Sequence, residues 1–144
     1  RQSGIADRVH WPGMLRGEAK WGAFAASEAF ILPSHQENFG IAAVEALASG
    51  KPVLLAEPVN IAPDVAEAGC ALVEADTLDG TRRLLTRWLA VSPAERQTMS
   101  DRALTTFEHH YDMRRNTEAI LRVFEAAQPL RSPQPAAAAP VESR

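Results

Sequence analysis

Two carboxylates stand out in the stretch LPSHQENFGIAAVEALASGKPV, which runs from Leu32 to Val53: Glu37 and Glu45, with seven residues between them. At a hundred degrees per residue, Ile41, Val44, Glu45 and Ala48 share one side of a helix, while Ala43 and Leu47 cover the other. Such a helix is apolar nearly all round and is expected to be buried. An ionised carboxylate there is costly unless something pairs with it. An arginine or backbone amides inside the domain would serve, and so would a pair of ligand hydroxyls. Glu37 precedes the same helix, where negative charge interacts favourably with the helix dipole. Taken alone it reads as a helix-start charge. Asn38-Phe39-Gly40 add to it, because Gly40 removes a side chain where amide hydrogens point outward, and such a terminus can hold a phosphate. Eight helical steps amount to ~12 Å. A glycosidase pair needs its carboxyls ~5–9.5 Å apart. The spacing therefore favours a longer ligand, with hydroxyls at both ends and phosphate between them. A nucleotide sugar has that form.

No metal centre is expected. There is one cysteine, Cys70, and no Asp-x-Asp motif or histidine cluster. His109 and His110 are adjacent and so face different ways on a helix. His35 reads equally as a sugar contact or as an ordinary loop residue. Fifteen basic and eighteen acidic residues are mixed along the 144, for a net charge of −3. Without a basic block, nucleic acid is not expected as a partner. No apolar run approaches the ~20 residues of a membrane helix. A lone cysteine suits a reducing compartment.

The elements that would position the glutamates alternate between strand and helix. Val9–Trp11 reads as a short strand closed by Pro12-Gly13, and Glu18–Ala26 as a helix carrying Trp21, Phe24 and Ala25 at helical spacing. Ala29–Leu32 is a buried strand ending at Pro33. The site helix runs from about Phe39 to Ser49, with Asn38 as its cap and Gly50 as its stop. Pro52–Ala56 and Cys70–Val73 are further strands, with a helix over Ile61–Ala68 between them. Thr77–Ala90 is amphipathic, with Leu78, Leu84, Leu85, Trp88 and Leu89 on or near one face. Ser92-Pro93-Ala94-Glu95 is a capping box that opens a helix to about His109, and a last helix covers Asp112–Ala126. Residues 1–127 are expected to form the ordered domain. Residues 128–144, rich in proline and alanine, read as a disordered tail. The alternation implies a Rossmann-like parallel α/β sheet flanked by helices. Such sheets bind ligands at the carboxyl ends of their strands, where the Glu37 loop lies.

The quoted stretch resembles the signature of the family 4 retaining glycosyltransferases of the GT-B fold. Pro33, Ser34, Glu37, Phe39, Gly40, Glu45, Ala46, Ala48, Gly50, Pro52 and Val53 match it. The likeness continues through VHWPGMLRGEAK before it and AGCALVEADTLDG after it, over roughly residues 5–126. The resemblance implies a C-terminal domain that binds a nucleotide-diphosphate sugar and transfers the sugar to an acceptor such as a glycan or a lipid-linked saccharide. Glu37 would be the catalytic-site carboxylate on the donor sugar. Backbone amides of Asn38, Phe39, Gly40 and Ile41 would face sugar and diphosphate, Glu45 would take the ribose hydroxyls, and Gly13 and Met14 would line the base. No cofactor or metal is implied beyond the donor. The resemblance also implies an N-terminal acceptor domain, absent from this sequence, and a cytoplasmic enzyme, at the membrane's inner face where the full-length protein associates with it. The alternatives are a GT-B sugar-nucleotide epimerase and a non-catalytic nucleotide-sugar-binding module.

Two features depart from the family pattern. Val59-Asn60-Ile61 stands where many members have a glycine pair, and Asp64 where many have glutamate. Only four strand candidates are found where the resemblance implies six. In the implied strand order three-two-one-four-five-six, Val9–Trp11 would be the third, and an apolar edge would be left open.

Overall fold

The computed structural model describes residues 4–127, apart from the side chains of Ala119 and Ala127. Two units are distinguished, with the division after Asp112. The first carries a three-stranded parallel sheet in sequence order: β1 (Phe30–Leu32), β2 (Val53–Ala56) and β3 (Ala71–Glu74). Phe30 sits opposite Val53, and Val53 opposite Ala71. Six helices are described: α1 (Gly17–Ala26), α2 (Ile41–Ala48), α3 (Ala62–Glu67), α4 (Leu78–Ala90), α5 (Pro93–Thr106) and α6 (Met113–Ala127). The second unit's described part is α6, whose Met113, Ile120, Leu121, Val123 and Phe124 are exposed. The tail expected over 128–144 lies outside the described residues.

Strand alternation divides the core between the two faces of the sheet. Val53 and Leu55 pack with Ala43, Val44, Ala46 and Leu47 of α2, joined by Phe30, Leu32, Ala71 and Val73. Leu54 packs on the opposite face with Leu84 and Trp88 of α4, joined by Leu72. β2, in the middle, is buried at all four positions. That is why it reads as the continuous apolar run VLLA. At the β1 edge Ile31 is 36% exposed. α4 is capped by Thr77, whose hydroxyl accepts from the Gly80 amide at 3.0 Å. Both halves of the Ser92–Glu95 capping box form at the start of α5.

Several expectations need correction. Val9–Trp11 is not a strand. Val9 has extended dihedrals after a 3₁₀ turn at Ala6–Arg8, but a strand also needs a hydrogen-bonded neighbour, and Trp11 is 90% exposed. Among the described residues, three strands therefore stand where four were expected. Asn38 does not cap α2: the chain turns through Gly40 at φ +74°, and the helix starts only at Ile41. α2 is not buried all round either, since Ile41 and Ala42 face solvent. The helix expected to reach His109 ends at Thr106 and passes into a π-helical turn, Phe107–Tyr111, closed by the Asp112 amide donating to the Phe107 carbonyl at 2.9 Å. Of the apolar residues assigned to the α4 face, Leu84 and Trp88 are buried, whereas Leu78, Leu85 and Leu89 are exposed.

Candidate functional site

Residues 33–40 connect β1 to α2 at the carboxyl end of the sheet. Their path is fixed by bonds to the next loop. The Glu37 carbonyl accepts from the Asn60 amide at 3.3 Å, and Glu37 forms a parallel bridge with Val59. The Glu37 side chain folds toward the helix start, where its Oε1 accepts from the Gly40 amide at 3.2 Å. Gly40 then supplies the carbonyl that receives the Ala43 and Val44 amides at 2.8 and 3.1 Å. The amides of Ile41 and Ala42, in the first turn, have no acceptor within the helix by its own geometry. Positive partial charge gathers at that end.

Glu45 lies one turn further on. Its side chain is 27% exposed, and Oε1 accepts from the Lys20 ammonium at 2.6 Å. The Lys20 nitrogen also sits 4.5 Å from the centre of the Trp21 ring. The acid expected to be fully buried is thus half-buried, and its protein partner is a lysine of α1 rather than an arginine or amides. No spacing rule in the sequence connects residue 20 to residue 45, because the contact joins two helices through the tertiary fold. The expected ~12 Å span between the glutamates assumed eight helical steps, but only the residues from Ile41 onward are helical. Distance alone therefore does not separate a hydrolase pair from a donor site. Both carboxylates are hydrogen-bond acceptors here, one from an amide and one from an ammonium.

Phe39 projects from the same loop, and its ring meets Tyr111 edge-on at 6.0 Å. Tyr111 is half-buried; burial first, and the nearby Asp64 charge second, push its hydroxyl pKa up. Gly40, Phe39, Glu37 and Glu45 are therefore gathered around the first turns of α2, with exposed Asn38 and Ile41 beside them. Gly13 and Met14 lie in the irregular segment before α1. Met14 is exposed, and its sulfur contacts the Arg16 guanidinium at 3.0 Å. The other side chain brought to the strand ends is His35, whose Nδ1 lies 3.1 Å from Asp76 in the loop after β3. Neither this pair nor Lys20 was picked out by a motif.

Cys70 is placed elsewhere, in the core. It donates to the Val65 carbonyl at 3.3 Å, and burial pushes its thiol pKa up, so it is not an activated nucleophile. Among the described residues, no group of three or more potential ligands is placed to hold a metal ion, and no helix is long and apolar enough to cross a membrane.

A parallel sheet flanked by helices, with a glycine-turned loop feeding a helix N-terminus at its carboxyl edge, defines a Rossmann-like class of domain. Residues 1–105 match the family described as glycosyl transferases group 1, and the chain belongs to that family. It is 29% identical over 126 residues to a D-inositol 3-phosphate glycosyltransferase of Saccharomonospora viridis, covering 86% of this chain and 28% of that protein. It is 36% identical over 103 residues to an MMP alpha-(1->4)-mannosyltransferase of Mycolicibacterium hassiacum, covering 68% and 24%. The chain thus spans less than a third of the length of these relatives. The fold matches sucrose-phosphate synthase from Thermosynechococcus elongatus with a TM-score of 0.73 at 23% identity, over 86% of this chain and 32% of that one. It also matches WaaG, a glycosyltransferase involved in lipopolysaccharide biosynthesis, with a TM-score of 0.61 at 23% identity, over 81% and 32%. The architecture is Rossmann-like and matches part of a GT-B fold.

Proposed function

We propose that this chain is the donor-binding part of a retaining glycosyltransferase that uses a nucleotide-diphosphate sugar. The observation that carries the reading is the turn at Gly40. It ties the Glu37 carboxylate to the start of α2 and leaves the first-turn amides of that helix for an anion. In this reading the diphosphate lies against the amides of Ile41 and Ala42, while the Gly40 amide holds Glu37. Asn38 and Phe39 border the sugar, Glu37 accepts its hydroxyls, and Glu45 accepts the ribose hydroxyls. Gly13 and Met14 flank the base. The sugar departs with its anomeric configuration retained, and the leaving diphosphate takes the acceptor proton, so no side-chain nucleophile or bound metal is needed. The amides offer only partial charges, and Lys20 is already paired with Glu45. Further cations for the diphosphate would come from the rest of a longer parent protein, as would the acceptor site, which takes a glycan or a lipid-linked saccharide. Such an enzyme acts in the cytoplasm or at the inner face of the membrane. The family match favours transfer over epimerisation or simple binding.

The test is calorimetric titration of the full-length parent protein with UDP, GDP and ADP, beside turnover of the matching nucleotide sugars. Glu45→Gln removes the charge that accepts ribose hydroxyls. Charge-assisted bonds contribute ~1.5–3 kcal/mol, so affinity for diphosphate and for donor should fall alike, roughly tenfold or more. Glu37→Gln keeps an oxygen for the Gly40 amide and so preserves the turn. Diphosphate affinity should then hold while turnover falls, because the sugar develops positive charge in the transition state. Equal loss of diphosphate binding in both variants would refute this division of roles.

A further inference from the structure

The loop that carries Glu37 is anchored twice. Backbone bonds tie it to the loop after β2, and a side-chain pair ties it to the loop after β3. In that pair His35 Nδ1 lies 3.1 Å from Asp76 Oδ2. We propose that His35 is a sugar-contact residue of the donor site and that Asp76 positions its ring. The inference rests on the donor-site reading above and adds a contact on the sugar.

The argument begins with the anchor. Asp76 directly precedes Thr77, whose hydroxyl receives the Gly80 amide at 3.0 Å. A Cβ built on Gly80 would lie 1.9 Å from the Ala75 carbonyl oxygen, so the corner between β3 and α4 is tightly packed and Asp76 starts from fixed backbone. The other partner is held too. The Ser34 hydroxyl donates to the Gln36 carbonyl at 3.0 Å, and the Glu37 carbonyl accepts from Asn60. His35 therefore reaches Asp76 from a loop with little freedom, two residues before the glutamate assigned to the sugar.

Chemistry sets what the ring can do. An ionised carboxylate only accepts hydrogen bonds, so the ring nitrogen facing Asp76 carries the hydrogen, and in the neutral ring Nε2 keeps its lone pair. The His35 side chain is 84% exposed, and that acceptor is open to a ligand. An exposed pair adds little to fold stability. Orienting an acceptor in the loop that carries Glu37 gives the pair a use that stability does not. A hexose hydroxyl is the fitting donor, and the diphosphate is not, because it too is an acceptor.

The experiment uses the full-length parent protein, with UDP-glucose, UDP-N-acetylglucosamine, GDP-mannose and ADP-glucose as probes and UDP, GDP and ADP as sugarless controls. His35→Ala should weaken the nucleotide sugar that the wild type binds by about five- to tenfold, with the matching diphosphate unaffected. His35→Gln, which offers an amide oxygen near the Nε2 position, should recover part of the loss. Asp76→Asn should cost less than His35→Ala, and adding it to His35→Ala should cost nothing more. Ring ¹⁵N spectra give a reading that does not depend on affinity: the Nδ1–H form of His35 should be lost in Asp76→Ala, which removes the acceptor, and Nε2 should shift with nucleotide sugar but not with diphosphate. Equal loss for sugar and diphosphate, additive losses, or an unmoved Nε2 would overturn the proposal. A wild type that binds diphosphates and donors normally, with His35→Ala unchanged, removes this inference alone. A wild type that binds none of the diphosphates removes the donor-site reading, and this inference falls with it.

Discussion

Replacing Gly40 with alanine tests the turn on which the site depends. Gly40 adopts φ +74° and ψ +50°. That left-handed conformation costs an L-residue about 1–2 kcal/mol. A Cβ there would stand 3.3 Å from Val59 Cγ1, 3.6 Å from Glu37 Cγ and 3.7 Å from Ala43 Cβ. Val59 and Ala43 are fully buried, so neither yields easily. Overpacking of this degree adds about 1 kcal/mol. The stiffer unfolded chain of alanine offsets about 0.4–1 kcal/mol. The net loss is about 1–2.5 kcal/mol, or roughly 3–8 °C in melting temperature. The tight contact is with Val59, the bridge partner of Glu37, whose carboxylate accepts from the Gly40 amide. Relief of the clash therefore moves both partners of that bond, and diphosphate affinity should fall with stability. Thermal melts of the intact protein, paired with calorimetry using the diphosphate that it binds, read both effects. An unchanged melting temperature would refute the packing argument. A lower melting temperature with full affinity would show that the turn supports the fold but not the site.

Three further outcomes follow from the same structure. Gly22→Ala should raise stability by about 0.5–1 kcal/mol, because Gly22 lies inside α1 with nothing within 4 Å of its Cβ position, and a melt of the variant checks the sign. Asn38→Ala should change stability by less than about 0.5 kcal/mol, since Asn38 does not cap α2; a loss near 1 kcal/mol would restore it as the cap. Glu74 accepts from Arg83 at 2.7 Å and Arg87 at 2.8 Å, with the Arg83 hydrogen bond foremost in holding its pKa below 4.5. Its stabilisation is present above its ordinary value and lost as pH falls through the depressed one, so Glu74→Gln should flatten the acid side of a stability–pH curve and leave its alkaline side unchanged.

Local chemistry made much of this fold readable before any coordinates. β2 is buried on both faces, so its sequence is an uninterrupted apolar run. The capping box at Ser92 is a contact within four residues, so its sequence is enough. Where the reading erred, a distant partner decided. Val9 has strand dihedrals, but nothing in the sequence says whether another strand lies beside it. Asn38 is a good cap by type, yet Gly40 can turn left-handed and does, which moves the helix start past it. The pairs Lys20–Glu45 and His35–Asp76 span 25 and 41 residues, and only the tertiary fold brings them together. The sequence left two partners open for Glu45, a group within the domain or the hydroxyls of a ligand. They are not exclusive. The Lys20 ammonium is bonded to Oε1, and an ionised carboxylate offers about four lone-pair sites over its two oxygens. In the proposed donor-site reading, Lys20 orients Glu45 while ribose hydroxyls take the remaining sites, so the carboxylate of α2 has a partner both without and with the nucleotide.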